Sequence, residues 1–137
     1  MTPMIAGYAC AYGVQFHDDI LQHGAFAALL AGGFKPLMLL GHKGGPIGRW
    51  LEFKEDDTGL HSIGRIDMTK PRGRLALDMV EAGEITGLSL GKFAGEARPI
   101  GTGRRLCRRV LRCPEISLVT HPENPAARLL SYCAGTA

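Results

Sequence analysis

The sequence predicts an α+β domain built mainly on an antiparallel, barrel-like sheet with two or three short helices. Nineteen glycines and eight prolines are spread along the 137 residues, which indicates many turns between short elements. About six or seven segments have the composition and alternation of strands, and only about two have helical spacing. Because these segments do not alternate in a strand, helix, strand order, an antiparallel sheet is favoured over a parallel one.

Composition limits the class of protein. The whole chain, residues 1–137, is expected to form one domain with a short, weakly ordered tail at about 129–137. The net charge of +3 is too small to indicate nucleic-acid binding by itself. The sequence has no signal-peptide pattern, no apolar run of membrane-spanning length and no CxxC pair among its four cysteines. A soluble, cytoplasmic protein with reduced cysteines is therefore expected.

The first third of the chain is predicted to contain a strand, a polar connection and a short helix. Ile5 to Tyr12 has the small and aromatic residues of a strand, and Phe16 to Ile20 is the polar connection. Gly24 to Ala31 is rich in alanine and leucine at helical spacing, and Gly32-Gly33 is a typical helix stop.

A buried strand and a hairpin are predicted next. The run Pro36 to Gly41 is almost wholly apolar and too short for a helix, so it reads as a buried strand with His42 at its exit. The loop Lys43 to Pro46 is expected to lack regular structure. Two strands follow around a charged turn that ends in glycine, at 50–54 and 60–66.

The remaining elements are a helix, three strands and a tail. The helix opens at Thr69-Lys70-Pro71 and stops at Gly83, with a predicted apolar stripe of Leu75, Met79 and Val80. The strands are predicted at 85–93, 106–111 and 115–120. The tail from residue 126 onward is weakly patterned and is expected to form a short helix with a frayed end.

The stretch Gly87-Leu88-Ser89-Leu90-Gly91 is the strongest candidate for chemistry. In an extended chain Leu88 and Leu90 point to one face and Ser89 to the other, between two residues without side chains. Glycine removes bulk that would block a peptide backbone, so the arrangement suits a serine nucleophile. The alternative interpretation is a surface serine in a strand punctuated by glycines.

A serine nucleophile needs a base and a group that orients the base. Among the five histidines we choose His42, because the end of a buried strand can hold a side chain rigidly beside a cleft. Alternation places Glu115 and Ser117 on the face opposite Ile116 and Leu118, so the Glu115 carboxylate is the predicted third member. His121 is the alternative candidate for the third member, and His61 is a weaker candidate.

Three other groups of residues offer different interpretations. His17, Asp18, Asp19 and His23 suggest a metal-dependent hydrolase, although their spacing matches no ligand motif. Cys113 is an alternative nucleophile without an evident partner. Five arginines between 104 and 112 form either a solvated face or a patch for phosphate or acidic groups, and no aromatic residues lie among them.

Eight pieces of the sequence occur in a fixed order over roughly Ile5 to Arg128. In chain order they are Gly7-Tyr8-Ala9; Asp19-Ile20 with Gly24-Ala25-Phe26; Leu39-Leu40-Gly41-His42; Pro46-Ile47-Gly48-Arg49-Trp50; Gly59-Leu60 with Gly64-Arg65-Ile66; Pro71-Arg72-Gly73-Arg74; Gly87-Leu88-Ser89-Leu90-Gly91; and Glu115-Ile116-Ser117-Leu118-Val119-Thr120 with Pro122-Glu123-Asn124-Pro125. Together these pieces resemble the HK97-type prohead maturation proteases of tailed bacteriophages, the caudovirus prohead serine proteases.

The resemblance implies a fold similar to that of the herpesvirus assemblins and a serine endopeptidase with no cofactor. Its nucleophile would be Ser89, its base His42 and its third member Glu115. The substrate would be the scaffolding part of the capsid protein, and also the protease itself, cut inside the assembling prohead in the host cytoplasm. Self-association is a further expectation, whereas direct nucleic-acid or membrane binding is not. Acyl transfer also requires an oxyanion hole, for which the resemblance assigns no residue; backbone N–H groups near Gly91 and an arginine of the 104–112 cluster are the two candidates.

Three departures from the family pattern affect these expectations. Gly41 precedes His42 where relatives often have a larger polar residue. His121 occupies a position usually held by another residue type, and histidine is the third member in the assemblins. Little chain follows the core, so a C-terminal extension is expected to be short or absent. A non-catalytic capsid-assembly or scaffold-binding module with the same fold is the alternative function.

Overall fold

The computed structural model describes residues 2–124 and 126–133. These residues form two helices, α1 (Ala27–Ala31) and α2 (Pro71–Glu81), and eleven strands. The strands are β1 (Met4–Ala11), β2 (Gln15–Phe16), β3 (Asp19–Leu21), β4 (Leu37–Leu40), β5 (Lys43–Glu55), β6 (Gly59–Ile66), β7 (Gly87–Leu90), β8 (Ala94–Pro99), β9 (Arg105–Arg112), β10 (Glu115–Val119) and β11 (Leu129–Cys133).

Seven strands form the larger sheet, in the order β11-β1-β6-β5-β4-β10-β7. All neighbours in it are antiparallel except β4 and β10, which are parallel. The outer strands β11 and β7 approach each other, because the segment just before β11 accepts hydrogen bonds from β7 at one edge of the sheet and from β1 near the other edge. Leu88 N–H donates to the Ala127 carbonyl at 3.0 Å, and Tyr8 N–H donates to the Arg128 carbonyl at 3.1 Å. The sheet therefore curls into a half-barrel, as the predicted barrel-like sheet requires.

The smaller sheet has the order β2-β3-β9-β8, and its β3 and β9 are parallel. The prediction of a mainly antiparallel sheet is thus only partly right, since both sheets are mixed. The predicted polar connection after β1 is wrong, because it contributes β2 and β3. One hydrophobic core contains residues of both sheets, including Phe16, Leu21, Leu88 and Val110. This shared core supports the assignment of the chain to one domain, which stays a prediction.

Helix α2 packs against β5 and β6. Its buried residues are Gly73, Ala76, Leu77 and Val80, which repeat at helical spacing. The predicted stripe is therefore wrong at Leu75, which is 47% exposed. The helix approaches the preceding chain closely at Gly73, where a Cβ atom would lie 2.1 Å from the Asp67 carbonyl oxygen. The face that contains Gly73 is therefore the buried one, and Leu75 lies outside it. No helix in the described part of the chain is long and apolar enough to cross a membrane.

Two further predictions fail because strand pairing overrides weak local patterns. The loop Lys43 to Pro46 belongs to β5, since a two-residue turn leads straight from β4 into antiparallel pairing. The tail predicted as a helix forms β11 over Leu129–Cys133, paired with β1. Residues 134–137 of that predicted tail lie outside the described residues.

Candidate active site

Ser89 lies in the middle of β7, directly opposite Ser117 of β10. Leu88 and Leu90 join the hydrophobic core, as the alternation predicts. Ser89 itself is only 3% exposed, so the interpretation as a surface serine is wrong. The side chain nevertheless reaches open space, because Ser89 lines two cavities at the protein surface.

His42 lies in the tight turn between β4 and β5. Leu40 pairs with Lys43, which leaves Gly41 and His42 as a two-residue turn. Both turn residues have left-handed backbones, with φ of 63° at Gly41 and 64° at His42. Positive φ at both positions is the pattern of the type I′ hairpin turn, which matches the twist of the flanking strands. The end of the buried strand β4 thus holds the imidazole beside Ser89, and both line the same cavities.

Glu115 begins β10 and contacts the His42 ring. Its Oε1 is 2.5 Å from His42 Nδ1, and its Oε2 accepts a hydrogen bond of 2.6 Å from the Ser117 hydroxyl. The Ser117 oxygen in turn accepts the backbone N–H of His42 at 2.9 Å. Three residues therefore form a closed set of hydrogen bonds that fixes both the ring and the backbone of His42.

Gly91 makes room for the Glu115 carboxylate. A Cβ atom at Gly91 would lie 2.3 Å from Glu115 Oε1 and 2.6 Å from its Cδ. At the other end of the motif, a Cβ at Gly87 would lie 2.3 Å from the Ala127 carbonyl oxygen. The expectation that these glycines leave space for a substrate backbone is therefore wrong, since protein atoms fill that space on both sides.

The two cavities meet at Ser89 and His42. The larger has a volume of about 880 Å³, and its lining includes Phe16, Leu90, Phe93, Lys92 and Arg105. The smaller has a volume of about 390 Å³, and its lining includes Leu40, Met79, Ile85, Leu118, Lys43 and Arg72. Ser89 and His42 are therefore accessible from two separate spaces at the surface.

The Ser89 hydroxyl donates to the Leu90 carbonyl at 3.4 Å, and within the described part of the chain it makes no hydrogen bond with His42. Hydrogen bonds between a nucleophile and its base are often long in free enzymes and shorten when substrate binds. A change of the Ser89 side-chain rotamer is enough to break the weak bond to Leu90.

The model of the caudovirus prohead serine protease family matches residues 1–134 of this chain. The chain belongs to that family. The resemblance stated from the eight sequence pieces is thus confirmed, and the family match covers the strands and turns that hold Ser89, His42 and Glu115. No curated protein sequence matches the chain.

Two solved herpesvirus proteases share the fold of this family member. The KSHV protease in complex with a hexapeptide phosphonate inhibitor matches with a TM-score of 0.61 at 11% identity, over 98% of this chain and 66% of that protease. The varicella-zoster virus protease matches with a TM-score of 0.59 at 12% identity, over 98% of this chain and 65% of that protease. The predicted herpesvirus protease-like fold is confirmed, and the chain spans just under two thirds of the length of both proteases.

The alternative third members lie elsewhere. His121 is exposed and lines the smaller cavity, but in the described residues no hydrogen bond joins it to His42, whose Nδ1 faces Glu115. His61, on β6, packs edge-on against the Tyr8 ring and lines neither cavity. Among these three candidates, Glu115 is the one that forms a hydrogen bond with the His42 ring in the described residues.

Most residues of the metal hypothesis are bound to other protein groups. His17 pairs with Glu123 at 3.2 Å, Asp19 binds Arg105 at 3.1 Å, and His23 Nε2 contacts the Asp57 carbonyl at 2.9 Å. No group of three or more histidine, cysteine or acidic side chains in the described residues is arranged to hold a metal ion. The sequence-based suggestion of a metal site thus has no structural support.

The predicted oxyanion donors are also largely occupied. Gly91 N–H donates to the Glu115 carbonyl at 2.8 Å as part of the strand pairing. Of the five arginines between 104 and 112, Arg105 alone lines a cavity with Ser89, and its guanidinium binds Asp19. Arg108 and Arg109 pair with Glu96 on the exposed face of the smaller sheet. Most of this cluster is therefore a solvated face.

Sequence reasoning missed the roles of two residues. Alternation predicts that Ser117 shares a face with Glu115 but indicates no function for it, whereas in the structure it binds both Glu115 and His42. Arg72, in the first turn of α2, reaches the backbone on either side of the His42 turn. Strand alternation could have suggested Ser117, whereas no sequence signal connects Arg72 with a turn 30 residues earlier.

Gly91→Ala should separate Glu115 from His42. The added methyl overlaps the carboxylate, so we expect the free energy of unfolding to fall by about 1–3 kcal/mol. We also expect the downfield proton signal of the His42–Glu115 hydrogen bond to disappear from the ¹H NMR spectrum. Gly32→Ala is the control, since its Cβ would meet only ordinary contacts at 3.5 Å. An unchanged downfield signal in Gly91→Ala would show that the carboxylate does not depend on this space.

Cys113 should be unreactive. Burial raises the pKa of its thiol to about 12, with a smaller contribution from the Glu115 charge. At pH 8 it should therefore carry about 10³-fold less thiolate than a free cysteine. Iodoacetamide followed by peptide mass spectrometry should label the exposed Cys133 and leave Cys113 unmodified. Equal labelling of both cysteines would reopen the hypothesis of a cysteine nucleophile.

Proposed function

We propose that this chain is a serine endopeptidase in which Ser89 is the nucleophile, His42 the general base and Glu115 the residue that orients His42. Membership of the prohead serine protease family supports the reaction class. The single observation that carries the residue assignment is the 2.5 Å contact between His42 Nδ1 and Glu115 Oε1 beside Ser89.

The Glu115 contact determines which His42 nitrogen acts as the base. A carboxylate at Nδ1 favours the tautomer with its proton on Nδ1, which leaves the lone pair of Nε2 free to accept the Ser89 proton. Ser89 Oγ then attacks the scissile carbonyl, and Glu115 stabilises the imidazolium that forms. His42 returns the proton to the leaving amine, and water activated in the same way hydrolyses the acyl-enzyme.

The hydroxyl of Ser117 stabilises this arrangement by binding the second oxygen of the Glu115 carboxylate. It donates to Glu115 Oε2, so both carboxylate oxygens have a partner in a nearly buried position. A carboxylate whose two oxygens are both hydrogen-bonded keeps one orientation. It therefore also holds the imidazole that it binds in one orientation.

The proposed substrate is the scaffolding part of the capsid protein, with the protease itself as a second substrate. The proposed location is the inside of the assembling prohead, in the cytoplasm of the bacterial host. The family description supports a role in the prohead. The two cavities on either side of Ser89 support an extended polypeptide substrate rather than a small molecule.

One observation favours the alternative of a non-catalytic capsid-assembly or scaffold-binding module. The Ser89 hydroxyl is bonded to the Leu90 carbonyl rather than to His42. A module that has lost activity would keep the fold and bind the precursor without cleaving it, so the two functions differ in a single measurable result.

Ser89→Ala distinguishes the two functions. Co-expressed with its capsid precursor, the parent chain should cleave the precursor, and Ser89→Ala should reduce cleavage by at least about 10³-fold, because it removes the hydroxyl that forms the acyl-enzyme. Ser131→Ala, at an exposed serine of β11, is the matched control and should cleave normally. Precursor that is bound but uncut by the parent would support the non-catalytic module, and cleavage by Ser89→Ala would exclude Ser89 as the nucleophile.

The third member is tested by Glu115→Gln beside His121→Gln. Glu115→Gln should lower kcat by about 10²- to 10⁴-fold, since an amide cannot stabilise the imidazolium. His121→Gln should change kcat by less than about threefold, because its side chain is exposed and His42 Nδ1 is already bound by Glu115. Glu84→Gln, at an exposed carboxylate, controls for the lost charge. A larger loss in His121→Gln than in Glu115→Gln would assign the role to His121.

A further inference from the structure

We infer that Arg72 is a positioning residue that holds the His42 turn in the conformation that the proposed mechanism needs. This inference rests on the proposed role of His42 as the base. Arg72 lies at the second position of α2, and its side chain lines the smaller cavity together with His42 and Ser89.

The His42 turn has an unfavourable backbone. A left-handed φ crowds the Cβ atom of any residue other than glycine, and His42 has a φ of 64°. Outliers of this kind persist only where the surrounding structure holds them. The turn therefore needs contacts beyond its own two residues.

Arg72 supplies those contacts on both sides of the turn. Its Nη2 donates to the Leu40 carbonyl at 3.0 Å and to the Lys43 carbonyl at 3.3 Å, and these two residues directly precede and follow Gly41 and His42. The His42 N–H is held separately by the Ser117 hydroxyl. One guanidinium nitrogen thus joins the two ends of the turn while Ser117 anchors its middle.

Gly44 lets the guanidinium come this close. Its φ is 76°, and a Cβ atom there would lie 2.6 Å from Arg72 Nε and 3.0 Å from Cζ. Arg72 Nε is buried without a hydrogen-bond partner among the described residues, and Arg72 takes part in none of the ion pairs found there. The side chain therefore reaches the two carbonyls even though one of its buried donors is left without a partner, which is energetically costly.

The test uses a fluorophosphonate ester, which reacts with an activated serine and needs no knowledge of the natural substrate. Arg72→Met keeps the aliphatic stem but removes the donors, so it should lower the inactivation rate constant by about 10- to 100-fold while the half-saturating concentration changes less than about threefold. Arg72→Lys keeps one donor group and should recover part of the rate. Arg74→Met on the same helix is the control, since the exposed Arg74 side chain donates to the Met68 carbonyl and, among the described residues, to no part of the His42 turn.

A second pair of variants covers the case in which Arg72→Met does not fold. Gly44→Ala should displace the guanidinium and reproduce the loss of rate, together with a weaker downfield proton signal from the His42–Glu115 hydrogen bond. Gly45→Ala has open space around its Cβ and should change neither. Rates and signals in Arg72→Met and Gly44→Ala equal to those of their controls would overturn the inference.

Ser89→Ala separates this inference from the proposed function. Labelling that persists in Ser89→Ala would overturn the proposed nucleophile, whatever Arg72 does. Labelling that requires Ser89 but is equally fast in Arg72→Met and Arg74→Met would leave the proposed function standing and exclude the positioning role.

Discussion

The pairing of β7 with β10 is the constraint on which the site depends. It places Ser89 opposite Ser117, and two positions further along it places Gly91 against the Glu115 side chain. Side chains alternate between faces, so a slip of one residue would turn Ser89 into the core and Leu88 or Leu90 toward the cavities. The fully buried leucines and isoleucine on the core side of these strands make that slip unfavourable, and thereby hold the polar side in register.

The parallel pairing of β4 with β10 extends this order to His42. It places Leu40, at the end of β4, beside Leu118 of β10, so that His42 lies near the strand that carries Glu115 although the two residues are 73 positions apart. The turn that follows then directs the imidazole toward the carboxylate. His42 is restricted by the core strand β4, by its short turn and by the buried Ser117 hydroxyl. Together they restrict it more strongly than any one of them could. A site held in this way needs little reorganisation during a reaction.

The site also shows how polar groups are accommodated inside an apolar barrel. Glu115, Ser117 and the His42 backbone satisfy one another, so a nearly buried carboxylate has partners for both of its oxygens. A buried polar group without partners would be costly, whereas a complete set fixes one arrangement. This set of hydrogen bonds also requires glycine at position 91, because any side chain there would occupy the place of the Glu115 carboxylate.

The sequence by itself determined the features that depend on near neighbours: the leucines flanking Ser89, the shared face of Glu115 and Ser117, the apolar strand that ends at His42, and membership of the family. Alternation and strand length are local, so they can be read without knowledge of partners. Only the tertiary structure decided the mixed direction of the sheets, the strand formed by Leu129–Cys133, the use of Gly91, the contact of Glu115 rather than His121 with His42, and the reach of Arg72 to the turn. Each of these depends on which distant segments pair, and pairing is set by the packing of the whole core rather than by any single stretch.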